Sequence, residues 1–185
     1  RRFVASIGET QGVGRCLSLT QRQRPFAIIL GCSDARVPAE IVFDQGLGDL
    51  FVIRVAGNIV APSQVGSVEF AASRFGTRLV VVLGHSQCGA VLATIEELNR
   101  PADSRSANLS AIVDRVRPSV AGLMRTDLRD DMDALVATAV RANVATSVDH
   151  LRHGSAVLEG LARTDGLMVV GAEYSLDTGV VEFFD

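Results

Sequence analysis

Two short apolar runs with the same pattern constrain the fold of this chain most strongly. Residues 26–30, FAIIL, lead into Gly31 and Cys32, and residues 79–83, LVVVL, lead into Gly84. Continuous apolar runs of this length, bounded by glycine, are typical of strands buried on both faces of a parallel sheet. The sequence therefore predicts a parallel sheet at the centre of the molecule.

The other apolar runs extend this sheet. Residues 50–55 and 167–174 predict two further strands, and residues 177–179, DTG, predict a turn. Residues 180–184 can then return as an antiparallel edge strand. Because helical patterns separate the strands, we predict an α/β fold: one domain over residues 1–185, with a mostly parallel sheet covered by helices on both faces.

The helical stretches have recognisable boundaries. Six helices are predicted, at residues 38–44, 63–75, 88–98, 109–123, 132–151 and 155–162. Ser63 is the expected N-cap of the second helix. Pro118 is expected to kink or split the fourth. The helix at 132–151 carries the longest periodic apolar stripe.

Composition and charge argue against nucleic-acid and membrane partners. The net charge is −3, all 18 basic residues are arginine, and the arginines are interspersed with acidic residues. A nucleic-acid-binding protein usually shows a basic excess on one face. The longest wholly apolar stretches have about five residues, far below the roughly 20 that span a bilayer.

The cysteine count and the N-terminus bear on localisation. Cys16, Cys32 and Cys88 are an odd number of cysteines, which argues against a disulfide framework. No signal peptide or lipidation motif is visible, so we expect a cytoplasmic protein. The chain starts at Arg1 without a methionine. We therefore expect that an N-terminal helix is truncated and that this domain can be part of a longer protein.

Polar side chains follow two of the predicted strands at the edge where ligands collect in α/β sheets. Residues 32–36, CSDAR, follow the first strand, and residues 85–88, HSQC, follow another. If the two strands are neighbours, Cys32, His85 and Cys88 converge. Two thiolates and an imidazole suit zinc, and three protein ligands leave a fourth position for water. Cys88 is expected in the first turn of its helix, where the helix dipole favours a thiolate.

Each of these residues has an ordinary structural interpretation when taken alone. A single cysteine after a buried strand is usually a small core residue. His150 and His153 lie at the end of a helical stripe, where histidine interacts favourably with the helix dipole. Cys16 has no such neighbours and is interpreted as structural. The Cys32 and His85 segments are different because both follow equivalent strand–glycine units.

Asp34 and Arg36 lie two residues apart in the same predicted turn. By themselves they indicate a local ion pair, which contributes little to stability at an exposed position. Beside a metal, the carboxylate can either bind the open coordination position or be held away from it by the arginine. An arginine partner lowers the pKa of the carboxyl group, so the group can accept a proton from metal-bound water without staying protonated. The pattern predicts attack of zinc hydroxide on a small electrophile.

With these motifs the sequence resembles the β-class carbonic anhydrases. The resemblance covers nearly the whole chain, and its signatures are residues 32–36, CSDAR, and residues 84–89, GHSQCG. It implies reversible hydration of CO2 to bicarbonate and a proton, with one Zn²⁺ per chain. Because two thiolates put negative charge on the metal, we expect activity that rises through mildly alkaline pH.

The resemblance also assigns roles to residues around the metal. Cys32, His85 and Cys88 are the implied zinc ligands. Asp34 and Arg36 are the implied catalytic dyad, and Asp34 binds zinc only in a closed form of the site.

The resemblance further implies a substrate pocket. Its members are Gln23, Val37, Phe51, Gly57 and Phe70.

The sequence departs from the family pattern at two places. The family often has a tyrosine where Phe70 stands, so the pocket is expected to be more apolar than usual. A subset of the family has an inhibitory bicarbonate site with a tryptophan, where this chain has Ile29. Arg54 and Tyr174 resemble other residues of that site, but without the tryptophan we do not expect this mode of inhibition.

Expectations for the oligomeric state and two alternative functions follow from the same residues. The resemblance implies a homodimer or higher homo-oligomer with active sites near a subunit interface. One alternative keeps the metal and the fold but hydrolyses carbon disulfide or carbonyl sulfide. Another is a non-catalytic zinc-binding module in which Asp34 permanently closes the metal site.

Overall fold

The computed structural model describes residues 23–100 and 106–184. A five-stranded sheet lies at its centre, in the order β2-β1-β3-β4-β5. Its strands are β1 (Ala27–Gly31), β2 (Leu50–Arg54), β3 (Leu79–His85), β4 (Met168–Tyr174) and β5 (Val181–Phe184). The first four are parallel, and β5 pairs with β4 in the antiparallel direction. The predicted α/β fold with its antiparallel edge strand is confirmed.

Helices connect the strands and follow the chain order of an α/β fold. They are α1 (Ala39–Val42), α2 (Pro62–Phe75), α3 (Gly89–Leu98), α4 (Ala107–Val120), α5 (Met132–His153) and α6 (Ala156–Asp165). A 3₁₀ turn at Ala56–Asn58 follows β2, and two more lie at Leu123–Arg125 and Asp127–Asp130. Among the described residues, none of these helices is long and apolar enough to cross a membrane.

Both faces of the sheet are buried. Ile28, Leu30 and Val82 are fully buried on the face that packs against α2, α5 and α6. Ile29 and Val81 lie in a separate cluster on the other face, with α1. Side chains alternate between the faces of a strand, so a strand with apolar residues at every position must be covered on both sides.

The strand order brings two chain segments together at one edge. β1 lies between β2 and β3, and Gly31 is paired with Leu83 and with Arg54. Cys32 therefore leaves β1 beside the last residues of β3, which ends at His85. The adjacency on which the predicted metal site depends is present.

The predicted N-cap of α2 is wrong. The N-cap of α2 is Ala61, with Pro62 as the first helical residue, so Ser63 lies inside the helix. Proline suits the first position because its missing N–H would have no intrahelical partner. Pro118 is accommodated inside α4, and the helix ends two residues later, at Val120, and not at the predicted residue 123. It lies in the last turn, so few residues remain beyond the disruption.

Candidate metal centre

The loop after β1 carries the first part of the candidate site. Cys32 is 5% exposed. A turn follows, in which the Val37 N–H donates to the Asp34 carbonyl at 3.1 Å. Arg54, the last residue of β2, braces this loop: its Nε donates to the Cys32 carbonyl at 3.0 Å and its Nη2 to the Asp34 carbonyl at 2.6 Å. In this structure Arg54 therefore contacts the metal-site loop.

His85, at the end of β3, is fully buried. Its Nδ1 lies 2.9 Å from the Ser86 carbonyl oxygen. A carbonyl can only accept a hydrogen bond, so Nδ1 carries the proton and Nε2 keeps its lone pair. A backbone contact of this kind is how proteins orient a metal-binding imidazole.

Cys88 is 1% exposed and lies one position before α3. It is the N-cap residue, with extended backbone, and not a residue of the first turn as the sequence suggested. The hydrogen bond with Cys32 and burial raise the pKa of its thiol, and the N–H groups of Ala90 and Val91 lower it by less. The chain reverses between His85 and Cys88 through Gln87, whose φ is 55°.

These three side chains could hold a metal ion. One ligand atom from each of Cys32, His85 and Cys88 lies within 4.8 Å of the others, and all three residues are buried. His85 Nε2 has no hydrogen-bond partner among the described residues. A buried acceptor without a partner is costly, and a metal ion would satisfy it. The donor set is one that zinc prefers.

The Cys32 and Cys88 thiols shift each other's pKa. The hydrogen bond from the Cys88 thiol lowers the pKa of Cys32, with a smaller contribution from the Gly57 N–H, while burial opposes the shift. The same hydrogen bond raises the pKa of Cys88, and burial adds to that increase. The raised pKa favours a protonated Cys88, and a metal ion that binds both thiolates would displace that proton.

Asp34 is held by Arg36 through three hydrogen bonds. Arg36 Nε donates to Oδ1 at 2.9 Å, Nη2 donates to Oδ2 at 2.7 Å, and the Arg36 backbone N–H donates to Oδ1 at 2.9 Å. These bonds to Arg36 hold the pKa of Asp34 well below its ordinary value. The Asp34 Oδ2 atom lies 3.8 Å from His85 Nε2, so an ionised carboxylate borders the metal-binding group.

Two residues of the predicted pocket lie at this site. Val37 is 4% exposed and packs in the same cluster as Cys32 and Cys88. Gly57 donates its N–H to the Cys32 sulfur at 3.4 Å. Gly57 has a φ of 69°, and a Cβ placed on it would lie 3.1 Å from the Ala90 side chain. The position therefore favours glycine for both conformation and space.

We expect Gly57→Ala to lower the free energy of unfolding by about 1–3 kcal/mol, because alanine is strained at positive φ. Chemical denaturation measures the loss. Gly160→Ala is the matched control, since Gly160 lies within α6 and a Cβ there meets nothing within 4 Å. Alanine in a helix interior should stabilise that control. Equal midpoints for Gly57→Ala and the unmodified protein would contradict the strain argument.

The other three pocket residues are not at this edge within a single chain. Phe51 pairs with Ile28 and lies three residues before Arg54, which places it about 10 Å back along the strand. Its ring packs with Phe70 at 6.2 Å between centroids. Gln23 is exposed and precedes β1, whereas Cys32 follows the other end of that strand.

Two residues that hydrogen-bond to the 3₁₀ turn beside Cys32 were not predicted from the sequence. Asn143 donates from Nδ2 to the Gly57 carbonyl, and Ser147 donates from Oγ to the Asn58 carbonyl. The available signal was two polar residues four positions apart on the apolar stripe of α5. Cys16 lies outside the described residues, and so does the expected N-terminal helix.

The fold and the site define a class of protein: an α/β domain with a buried Cys-His-Cys group at the carboxyl edge of a parallel sheet. The sequence model of the carbonic anhydrase family matches residues 27–181. A carbonic anhydrase of Mycolicibacterium smegmatis is 42% identical, over 98% of this chain and 86% of that protein. Carbonic anhydrase 2 of Mycobacterium tuberculosis is 39% identical, over 96% of this chain and 84% of that protein. The chain belongs to the carbonic anhydrase family.

Solved structures support the β-class fold. The β-carbonic anhydrase CafA of Aspergillus fumigatus superimposes with a TM-score of 0.86 at 23% identity, covering 100% of this chain and 86% of that one. A structure from a study of two tetrameric β-carbonic anhydrases of Sordaria macrospora superimposes with a TM-score of 0.82 at 22% identity, covering 99% and 92%.

Proposed function

We propose that this protein catalyses the reversible hydration of CO2 to bicarbonate, with one zinc ion bound by Cys32, His85 and Cys88. The observation that carries this proposal is the convergence of three buried donor side chains, in which His85 Nε2 has no hydrogen-bond partner in the part of the chain that the structure describes. Membership of the carbonic anhydrase family supports it independently. A zinc ion in such a site lowers the pKa of water enough to supply hydroxide near neutral pH.

Asp34, Arg36 and Val37 surround the candidate metal site, and each has a different role there. The Asp34 carboxylate, kept ionised by Arg36, can accept a hydrogen bond or a proton at Oδ2, 3.8 Å from His85 Nε2. Arg36 Nη2 also lies 3.5 Å from the Gln87 carbonyl, which links the two segments that carry the metal-binding residues. Val37 supplies apolar surface beside Cys32.

The arrangement favours an open site over a permanently closed one. For Asp34 to bind the metal, its carboxylate would have to leave hydrogen bonds with Arg36 that involve both oxygens. Charge-assisted bidentate pairs of this kind are the stronger class of hydrogen bond. The non-catalytic zinc module is therefore not favoured, and the named relatives do not favour hydrolysis of carbon disulfide or carbonyl sulfide.

Stopped-flow CO2 hydration tests this function directly. On protein of known zinc content, the rate should rise from about pH 6.5 to 9 and disappear when zinc is removed. Carbon disulfide and carbonyl sulfide serve as the competing substrates. Fully zinc-loaded protein that does not hydrate CO2 anywhere in this range would overturn the proposal.

We also propose a homodimer in which Gln23, Phe51 and Phe70 of a second copy complete the substrate pocket. Within one chain these residues lie away from the metal-binding group, yet Phe70 exposes 53% of its surface from an aromatic cluster. β2 is an edge strand of the described sheet. An exposed aromatic patch beside a sheet edge is a common type of protein interface.

Phe70→Glu should therefore produce a monomer. It should also lower kcat/KM about 100-fold, because misplaced pocket residues can reduce the rate by about this factor. Light scattering gives the mass, and zinc content should stay at the level of the unmodified protein. Val157→Glu is the control, because Val157 is similarly exposed, at 47%, on α6. A Phe70→Glu variant with unchanged mass and activity would contradict this role.

A further inference from the structure

The 3₁₀ turn at Ala56–Asn58 is fastened to α5 by two side chains. Asn143 Nδ2 donates to the Gly57 carbonyl at 2.8 Å, and Ser147 Oγ donates to the Asn58 carbonyl at 3.0 Å. Asn143 is 2% exposed and Ser147 is 4% exposed. Two side chains one helical turn apart thus hold consecutive carbonyls of the same short turn.

This turn also contacts the metal-binding group. The Gly57 N–H points at the Cys32 sulfur, with 3.4 Å between nitrogen and sulfur. The Asn58 N–H closes the turn by donating to the Val55 carbonyl at 3.0 Å. The orientation of the N–H at Cys32 therefore depends on how the turn is held.

Packing alone does not explain why positions 143 and 147 carry polar side chains, Asn143 and Ser147. Their neighbours on the same stripe of α5, Ala139, Val140 and Val144, are buried and apolar. A buried amide or hydroxyl is tolerated when it is hydrogen-bonded, whereas an apolar residue here would leave the Gly57 or Asn58 carbonyl without this donor. What the polar pair adds is two directed hydrogen bonds to the turn.

We propose that Asn143 and Ser147 are positioning residues for the metal centre. Through the turn they aim the Gly57 N–H at the Cys32 thiolate, and this donor limits the negative charge that Cys32 places on the metal. Hydrogen bonds to metal ligands orient the ligands and tune the metal in this way. The inference rests on the proposed metal site.

Cobalt substitution provides a test with a readout other than activity. Thiolate-to-cobalt charge transfer reports the electron density on sulfur, so a weaker N–H donor moves the absorption band to longer wavelength. We expect this shift in Asn143→Ala and a smaller one in Ser147→Ala. Asn143→Ala should also bind zinc about tenfold more weakly, as is common when a residue behind a metal ligand is lost.

Ser119→Ala is the matched control. Ser119 is also buried, and its Oγ lies 3.0 Å from Thr146 Oγ1 of α5, so this variant removes a hydrogen bond to the same helix away from the turn. Its charge-transfer band should stay at the position of the unmodified protein. Ser147→Ala keeps the test decisive if Asn143→Ala does not fold.

The possible results separate this inference from the proposed function. Bands at the unmodified wavelength in both turn-contacting variants would overturn the positioning role while leaving the metal site intact. A comparable shift in Ser119→Ala would also overturn it, because the effect would then follow from general loosening of α5. If the unmodified protein gave no thiolate-to-cobalt band, the proposed metal site itself would fail.

Discussion

Cys88→Ser is expected to abolish zinc binding and to lower CO2 hydration about 1,000-fold or more, since most of the rate enhancement of such an enzyme depends on the metal. A serine hydroxyl does not ionise near neutral pH and is a poor ligand for zinc. Serine is close to cysteine in size, and Cys88 lies at the N-cap of α3. Serine is favoured at that position, so the fold should persist.

Metal analysis after dialysis, together with stopped-flow assays, measures this effect. Cys16→Ser is the matched control, because Cys16 is the remaining cysteine of the chain and is predicted to be structural. That control should keep about one zinc ion per chain. A Cys88→Ser protein that retains stoichiometric zinc would remove Cys88 from the ligand set.

The sheet was predictable because its strands are buried on both faces. Continuous apolar runs such as residues 79–83 leave little ambiguity when glycine ends them. The side chains after such strands could then be placed at one edge of the sheet without knowledge of the register. The observed order β2-β1-β3 was the additional fact that brought Cys32 beside His85.

Local details of the helix ends were harder to predict. Ser63 is a typical N-cap residue, but Pro62 immediately before it is better suited to the first helical position. The position of Cys88 is wrong by one residue for a similar reason. It is the N-cap of α3, and only its extended backbone distinguishes it from a residue of the first turn. Boundaries of this kind depend on dihedral angles that short sequence patterns do not determine.

Contacts between distant segments were beyond sequence reasoning. Asn143 meets the Gly57 carbonyl across 86 positions of sequence, and a polar residue on an apolar stripe does not identify its partner. The separation between Phe51 and the metal-binding edge follows from its place near the start of β2, three residues before Arg54. The sequence therefore predicted the residues around the metal better than those that support or complete the site.

Asp34→Ala is expected to retain zinc but to lower kcat/KM about 100- to 10,000-fold, the range typical for loss of a positioned proton acceptor. The three candidate ligands are Cys32, His85 and Cys88, so the change leaves them in place. Hydrogen bonds from Arg36 hold the pKa of Asp34 below its ordinary value, so its carboxylate stays ionised at neutral and alkaline pH. The pH dependence of the unmodified enzyme above about pH 6 should consequently not come from Asp34.

Asp114→Asn is the matched control for this variant. Asp114 also pairs with a nearby arginine, Arg117, at 2.7 Å, but on the exposed surface of α4. An exposed pair of this type contributes little to stability, so this control should keep the zinc content and rate of the unmodified protein. If Asp34→Ala kept full activity with zinc bound, Asp34 would have no catalytic role. If it lost zinc, the carboxylate would be part of the metal site, as in a closed form.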